Sequence, residues 1–239
     1  MSAPNRRWKV PTHGPLTAID DDIMTAVADL RMPLVHLPRR MTVVRLRDKR
    51  LIVWSAIALD DDNMAVLEAF GRPAFLIVPN GHHRLDAPAW KARFPDLQVV
   101  APAGARERVQ KAVAVDTTTP AFGDAAVEFV AVAGTREQEA ALVVRKSGGT
   151  TLVLNDLVGN IRNAGGMGGA LLQLMGFAGD EARIPHVVKR VLVKDRPALR
   201  AQLLQWAAID GMKRILVSHG EPIESDAPRT LRTLADSLS

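Results

Sequence analysis

Short β-branched apolar runs that alternate with amphipathic segments constrain the fold of this chain more than any other feature. The runs MTVVRLR and LIVWSAI flank a turn-like stretch at residues 48–50 and predict a β-hairpin. Asp60 then offers an N-cap for an amphipathic helix that Gly71 ends. A continuous apolar run at residues 74–80 predicts a buried strand. Strands that alternate with helices in this way are typical of an α/β chain.

The second half of the chain predicts further strands. Residues 127–134, 139–146 and 150–156 are rich in β-branched residues, and the intervening Ser147-Gly148-Gly149 predicts a hairpin between the last two. A helix capped by Asp195 precedes a final buried strand, RILVSHG.

The organisation along the chain predicts one main domain. No linker-like tract interrupts residues 41–239, which we expect to form a single domain. Residues 1–40 are rich in proline, and we expect an irregular N-terminal segment that packs on this domain and has one short helix around residues 20–30.

Composition excludes several classes of protein. A chain of 239 residues that is 47% hydrophobic can build a core and is not disordered, and no apolar run approaches the ~18 residues of a membrane span. The absence of cysteine excludes disulfides and thiolate metal ligands, and the first twenty residues lack a secretory apolar stretch. We therefore expect a cytoplasmic protein without membrane contacts.

The basic charge is less informative than the pI near 10.0 suggests. The net charge is only +5, and the chain has neither tyrosine nor cysteine to titrate between histidine and lysine. Lysine and arginine are scattered rather than clustered in a tail, which argues against a nucleic-acid partner. A small-molecule substrate is the expected partner, and a homodimer is an open alternative.

Three predicted buried strands end in side chains that can bind a metal ion. The strand at residues 74–80 leads into His82 and His83, another strand ends at Asp156, and the final strand leads to His219. Strand ends often meet in a common crevice in α/β folds. Imidazole and carboxylate groups suit zinc, iron or manganese, and such an ion lowers the pKa of water enough to supply hydroxide.

The order of these segments resembles the metallo-β-lactamase superfamily. Four segments carry the closer resemblance to an uncharacterised branch of it with a domain of unknown function: MTVVRL, IVPNGHHRL, AWKARFPDLQVVAPAG and TLVLNDLVGN, followed by ILVSHGEPI. The resemblance covers residues 41 to 223. It implies a four-layer αββα sandwich with mixed α/β (α+β) content and a site along one edge of its sheets.

The first metal motif of that superfamily, His-x-His-x-Asp-His, is degenerate here. Asn80 stands at the first histidine, His82 at the second, Arg84 at the aspartate and Leu85 at the last histidine. A guanidinium at the aspartate position repels a cation and is suited to bind a substrate carboxylate or phosphate. Asn80 is suited to hold loop geometry or to contact substrate.

The later motifs are partly retained. The histidine of the superfamily's Gly-His-Thr segment is missing, because the chain reads Gly134-Thr135. Asp156 matches the bridging aspartate and His219 matches the last histidine. Glu139 could add a further carboxylate or be a solvated charge at a strand end. The resemblance thus implies one divalent ion, or none, rather than the usual pair of zinc ions.

Two functions remain open at the level of sequence. The first is a metal-dependent hydrolase in which activated water attacks an ester, lactone, amide or phosphoester, with His82 and Asp156 in catalysis and Arg84 and Asn80 on the substrate. Its expected metal ligands are His82, His83, Asp156 and His219. The second is a degenerate, inactive member that binds a ligand or another protein.

Overall fold

The computed structural model describes residues 7–32, 35–162 and 165–239. Within these ranges lie ten strands, seven α-helices and one short 3₁₀ helix. The chain divides into two compact units, one formed by Met1–Asp29 and Arg40–Ala125, the other by Leu30–Arg39 and Ala126–Ser239. None of the helices in the described ranges is long and apolar enough to cross a membrane.

A six-stranded sheet in the order β1-β2-β3-β4-β5-β6 dominates the first half of the chain. Its strands are β1 (Thr17–Asp20), β2 (Ile23–Met32), β3 (Val35–Arg45), β4 (Arg50–Trp54), β5 (Arg72–Ile77) and β6 (Gln98–Val100). The predicted hairpin is confirmed as the antiparallel β3–β4 pair, while β4, β5 and β6 pair in parallel. Parallel strands need crossover helices, and the intervening sequence supplies them.

Of the helices in the first unit, α1 begins after Asp60 and ends before Gly71, as the sequence predicts. They are α1 (Asp61–Phe70), α2 (Ala87–Arg93) and α3 (Arg106–Gln110), with the 3₁₀ turn Ala103–Ala105 before α3. The Asp60 carboxylate accepts a hydrogen bond from the Asn63 backbone N–H at 2.9 Å, which satisfies a donor of the first turn of α1. Met64 and Leu67 on this helix are buried in the core of the unit.

The short helix expected around residues 20–30 is wrong, because β1 and β2 occupy this stretch. Met24, Ala26 and Ala28 occupy alternate positions of β2 and are buried together in the core of the first unit, as side chains on one face of a strand are. Alanine and methionine favour helices intrinsically, but the sheet context decides here. The segment expected to be irregular therefore contributes strands, and the single-domain organisation stays a prediction.

A four-stranded sheet in the order β10-β9-β8-β7 forms the frame of the second unit. Its strands are β7 (Val127–Ala131), β8 (Ala140–Lys146), β9 (Gly149–Asn160) and β10 (Met212–Gly220). The predicted β8–β9 hairpin is confirmed, and β9 pairs with β10 in parallel.

Four helices accompany this sheet, and their apolar faces contribute to the core of the second unit. They are α4 (Gly166–Met175), α5 (His186–Val191), α6 (Arg196–Ala207) and α7 (Ala227–Asp236). The predicted cap of α6 is confirmed, because the Asp195 carboxylate accepts from the Ala198 backbone N–H at 2.9 Å. Leu199 and Leu203 are buried and lie on the side of α6 that packs against this core.

Strand β9 contains a bulge that the sequence pattern does not show. Leu154 pairs with Val217 and Gly159 pairs with His219, so four residues of β9 lie opposite a single residue of β10. The prediction that the strand ends at Asp156 is wrong, because β9 continues past it and Asp156 lies within the bulge. Bulges redirect side chains and are frequent beside active sites.

Candidate metal centre

The second unit brings Asp156 and His219 into direct contact. Nε2 of His219 lies 2.9 Å from Oδ1 of Asp156. The His219 side chain is 4% exposed and that of Asp156 is 17% exposed, so the histidine is shielded from water and the aspartate is partly accessible. Both residues stand where β9 and β10 lose their regular pairing. The structure thus brings together two of the residues that the sequence names as candidate metal ligands.

The other ring nitrogen of His219 faces a second acceptor. Nδ1 lies 2.7 Å from the backbone carbonyl oxygen of Pro38. A carbonyl oxygen only accepts hydrogen bonds, so Nδ1 carries the hydrogen and donates it. Nε2 therefore faces the Asp156 carboxylate either as a second N–H of an imidazolium or with its lone pair directed to a cation. Phe177 fixes the ring plane from one side by an edge contact, with ring centroids 5.7 Å apart.

A buried glutamate holds the bulge in place. Oε1 of Glu139 accepts a hydrogen bond from the backbone N–H of Asp156 at 3.0 Å, and Glu139 is 0% exposed. The interpretation of Glu139 as a solvated charge at a strand end is therefore wrong. A buried carboxylate that binds the backbone of a candidate ligand is a positioning group. The acidic residue at the start of an apolar strand was the available signal for it.

Gly220 allows the chain to turn tightly after His219. Its φ is 113°, and a Cβ at this position would lie 2.1 Å from the carbonyl oxygen of Asn160. Only glycine tolerates both this conformation and this approach. The close fit keeps β10 against the end of β9 and so fixes the position of His219.

The first unit gathers the other predicted residues in the loop after β5. Oδ1 of Asn80 accepts hydrogen bonds from the backbone N–H groups of His82 at 2.8 Å and His83 at 3.1 Å. Asn80 is only 3% exposed. Its side-chain oxygen thus shapes the loop, as the residue type predicts, and its role in substrate binding stays a prediction.

His83 is oriented by a serine that sequence reasoning missed. Nδ1 of His83 lies 2.7 Å from Oγ of Ser55, which is buried and has a positive φ of 52°. A non-glycine residue in this region is uncommon and often stands beside a functional site. A hydrogen bond at one imidazole nitrogen sets which nitrogen can bind a metal ion. Nothing in the sequence around residues 55 and 83 links them.

His82 and Arg84 both contact Arg108, which sequence reasoning also missed. Nη1 of Arg108 lies 3.1 Å from Nε2 of His82, and Nη1 of Arg84 donates to the carbonyl oxygen of Arg108 at 2.7 Å. A guanidinium only donates, so the His82 Nε2 lone pair accepts this bond. His82 is exposed, and its predicted roles as metal ligand and catalytic residue stay predictions.

Solved structures with a similar fold cover nearly the whole chain. The metallo-β-lactamase FIM-1 from Pseudomonas aeruginosa, solved in a mono-zinc form, superposes with a TM-score of 0.62 at 13% identity over 97% of this chain and 98% of that one. The metallo-β-lactamase DIM-1 gives 0.62 at 11% identity over 97% and 100%. A metallo-β-lactamase from Erythrobacter litoralis gives 0.61 at 12% identity over 93% and 96%.

The chain has the metallo-β-lactamase fold. The predicted fold class, an αββα sandwich, is confirmed by these likenesses and by the two sheets and seven helices of the described residues. No protein-family model and no curated protein matches the sequence. Within the metallo-β-lactamase frame, Thr135 at the position of a missing histidine is fully buried and donates its hydroxyl to the Val132 carbonyl oxygen at 2.6 Å.

Proposed function

We propose that this protein is a metal-dependent hydrolase that uses a single divalent ion held by His83, Asp156 and His219. Each of the three residues offers one ligand atom of a type that suits zinc, iron or manganese. Three protein ligands leave a coordination position for water or substrate. The likeness of the whole chain to metallo-β-lactamases supports this assignment of a metal site.

The observation that carries the proposal is the placement of the His219 ring between two acceptors. The Pro38 carbonyl oxygen fixes the hydrogen on Nδ1, and Nε2 then faces the Asp156 carboxylate at 2.9 Å. This arrangement is what a metal-binding histidine needs, with one nitrogen donating to a backbone carbonyl and the other directed beside an anionic ligand. The donor set therefore fits a divalent cation.

One ion fits the donors better than two. Thr135 replaces a ligand histidine, and its hydroxyl is engaged in its own turn. The His82 Nε2 lone pair accepts from Arg108, so His82 is a weaker candidate ligand than His83. The buried Glu139 carboxylate binds the Asp156 backbone rather than adding an exposed ligand.

The residues of the chain would divide the work of hydrolysis. When bound, a divalent ion acidifies water and polarises a carbonyl or phosphoryl group. The Asp156 side chain is partly exposed, and its carboxylate can hold the attacking water and accept its proton. Asn80 and Arg84 flank the two histidines in the sequence, and we assign Asn80 and Arg84 to substrate binding. The substrate classes are esters, lactones, amides and phosphoesters.

A second function is favoured by one specific contact. The hydrogen bond from Arg108 to His82 places a cation on a residue of the first metal motif, which disfavours a further cation there. A protein that has lost catalytic metal and binds a ligand or a partner would tolerate this change. This alternative predicts no hydrolysis under any metal condition.

Metal-dependent hydrolysis tests the proposal. Untagged protein should hydrolyse at least one member of a panel of esters, lactones and phosphoesters, lose this activity with a chelator and regain it with zinc, iron or manganese. His219→Ala should be inactive while keeping the folded circular-dichroism spectrum. Activity that survives the chelator, or activity retained by His219→Ala, would exclude the proposed metal centre.

A further inference from the structure

The loop after β5 and helix α3 each present an arginine whose side chain forms a hydrogen bond to the other segment. Nη1 of Arg84 donates to the Arg108 carbonyl oxygen at 2.7 Å, and Nη1 of Arg108 donates to Nε2 of His82 at 3.1 Å. His82 and Arg108 are exposed, and Arg84 is half-buried. These bonds order long side chains that would otherwise be mobile, so the entropy cost of binding a ligand is reduced in advance.

Gly81 provides the space that Arg108 occupies. A Cβ built at Gly81 would lie 2.2 Å from Cδ and 2.9 Å from Cγ of Arg108. Gly81 is not among the glycines with positive φ, so its backbone conformation does not require glycine. The close approach of the Arg108 side chain is what requires glycine at this position. The stem of Arg108 lies directly across the loop, and a residue of any other type would push its guanidinium away from His82.

The local charge favours an anion. Arg84, Arg108 and Lys111 lie on the loop and on or beside α3, which also carry the carboxylates of Asp86 and Glu107, while the Arg106 guanidinium contacts the Val115 carbonyl oxygen. Without Arg106, cations outnumber carboxylates by three to two in these two segments. A guanidinium matches the geometry of carboxylate and phosphate oxygens, to which it binds by two parallel hydrogen bonds.

We infer that Arg108, placed by Gly81 and assisted by Arg84 and the His82 ring, forms an oxyanion-binding subsite for a carboxylate or phosphate group. His82 is next in sequence to His83, which is a metal ligand in the proposed function. The inference therefore rests on the proposed function where it names the bound anion as part of a substrate. The substrate class is then an ester, lactone or phosphoester that carries a separate negative group. Arg108 is the specificity-determining residue, and Gly81 is its positioning residue.

Two variants that act on one side chain test the subsite. Arg108→Ala removes the guanidinium, and Gly81→Ala leaves the guanidinium in place but displaces it. Both should weaken binding of an oxyanion by roughly tenfold or more, since a charge-assisted hydrogen bond is lost. The double variant should bind the oxyanion no more weakly than Arg108→Ala alone, because both changes act on one contact. Arg106→Ala is the matched control, since Arg106 lies on the same helix and contacts the Val115 carbonyl oxygen instead.

Binding of inorganic phosphate and of acetate by the full chain, measured by calorimetry after a chelator has stripped any metal and has itself been dialysed away, decides the question. The chelator separates this test from the metal centre, so the subsite and the hydrolase proposal can fail independently. Saturable binding of either anion that is lost in Arg108→Ala and Gly81→Ala and kept in Arg106→Ala supports the subsite, and the tighter of the two anions gives the substrate group. Equal affinity in all variants, equal loss in Arg106→Ala, or no saturable binding of either anion overturns it.

Discussion

Nε2 of His219 and Oδ1 of Asp156 lie 2.9 Å apart at the point where β9 bulges away from β10. The bulge brings the carboxylate to the imidazole, and the Pro38 carbonyl oxygen orients the ring from its other side. Neither residue reaches this position through regular strand geometry alone. The pair depends on local features that can be changed one at a time.

Asp156→Asn tests the charge of the pair with little change of shape. An amide cannot replace a carboxylate as a strong ligand for a hard or borderline cation, so we expect metal affinity to fall at least tenfold. Asp180→Asn removes an exposed carboxylate from the same unit and serves as the control. Calorimetric titration with zinc measures the metal affinity of both variants. Equal zinc affinity in the two variants would remove Asp156 from the ligand set.

Glu139→Ala tests the support of the bulge. The substitution leaves the buried Asp156 backbone N–H without its acceptor, so we expect the free energy of unfolding to fall by roughly 1–3 kcal/mol. Glu139→Gln keeps an oxygen acceptor, so its free energy of unfolding should fall by less. Denaturant unfolding gives the values, with the exposed Glu181→Ala as the control. A loss no larger than that of the control would contradict the positioning role.

Much of the fold could be predicted because local signals and tertiary structure agree. Asp60 and Asp195 cap their helices as the residue types predict, and the apolar runs at β5 and β10 are buried strands. The prediction for the first strands failed because Met24, Ala26 and Ala28 favour helices locally, whereas pairing in the sheet stabilises the extended form.

The site was only partly predictable because its geometry depends on contacts between distant segments. His219 and Asp156 could be named from strand ends, but the β9 bulge that joins them has no signature in its own sequence. Ser55 beside His83 and Arg108 beside His82 are 28 and 26 residues away along the chain. A single sequence carries no record of such pairs.

Gly134→Ala tests a tight contact in the second unit. Gly134 has a φ of 74°, and a Cβ would lie 2.1 Å from the Asp195 carbonyl oxygen at the start of α6. Gly211 has a similar φ of 68° with open space around it. We expect Gly211→Ala to cost about 1 kcal/mol from the backbone alone and Gly134→Ala about 3 kcal/mol, because steric overlap is added. Equal losses of unfolding free energy would contradict the close approach.

Asp60→Ala tests the cap of α1 through its pH dependence. Hydrogen bonds from the backbone and then the side chain of Asn63 hold the pKa of Asp60 below its ordinary value of 3.8. A lowered folded-state pKa gives stability that is fully present above the ordinary value and is lost as the pH falls through the lowered value. The melting temperature of Asp60→Ala should therefore be lower than that of the native chain at neutral pH, and the gap should narrow in acid. Asp60→Asn keeps a neutral cap as the control, and a gap that is constant with pH would contradict the charge effect.

The metal content of the purified, untagged protein tests the central claim most directly. Elemental analysis after mild dialysis should find one zinc, iron or manganese ion per chain, and the ion should be absent from His83→Ala and His219→Ala. His36→Ala, which removes an exposed histidine of β3, should keep it. A native chain with no ion and no thermal shift on addition of these metals would contradict the account, as would full metal content in His83→Ala and His219→Ala.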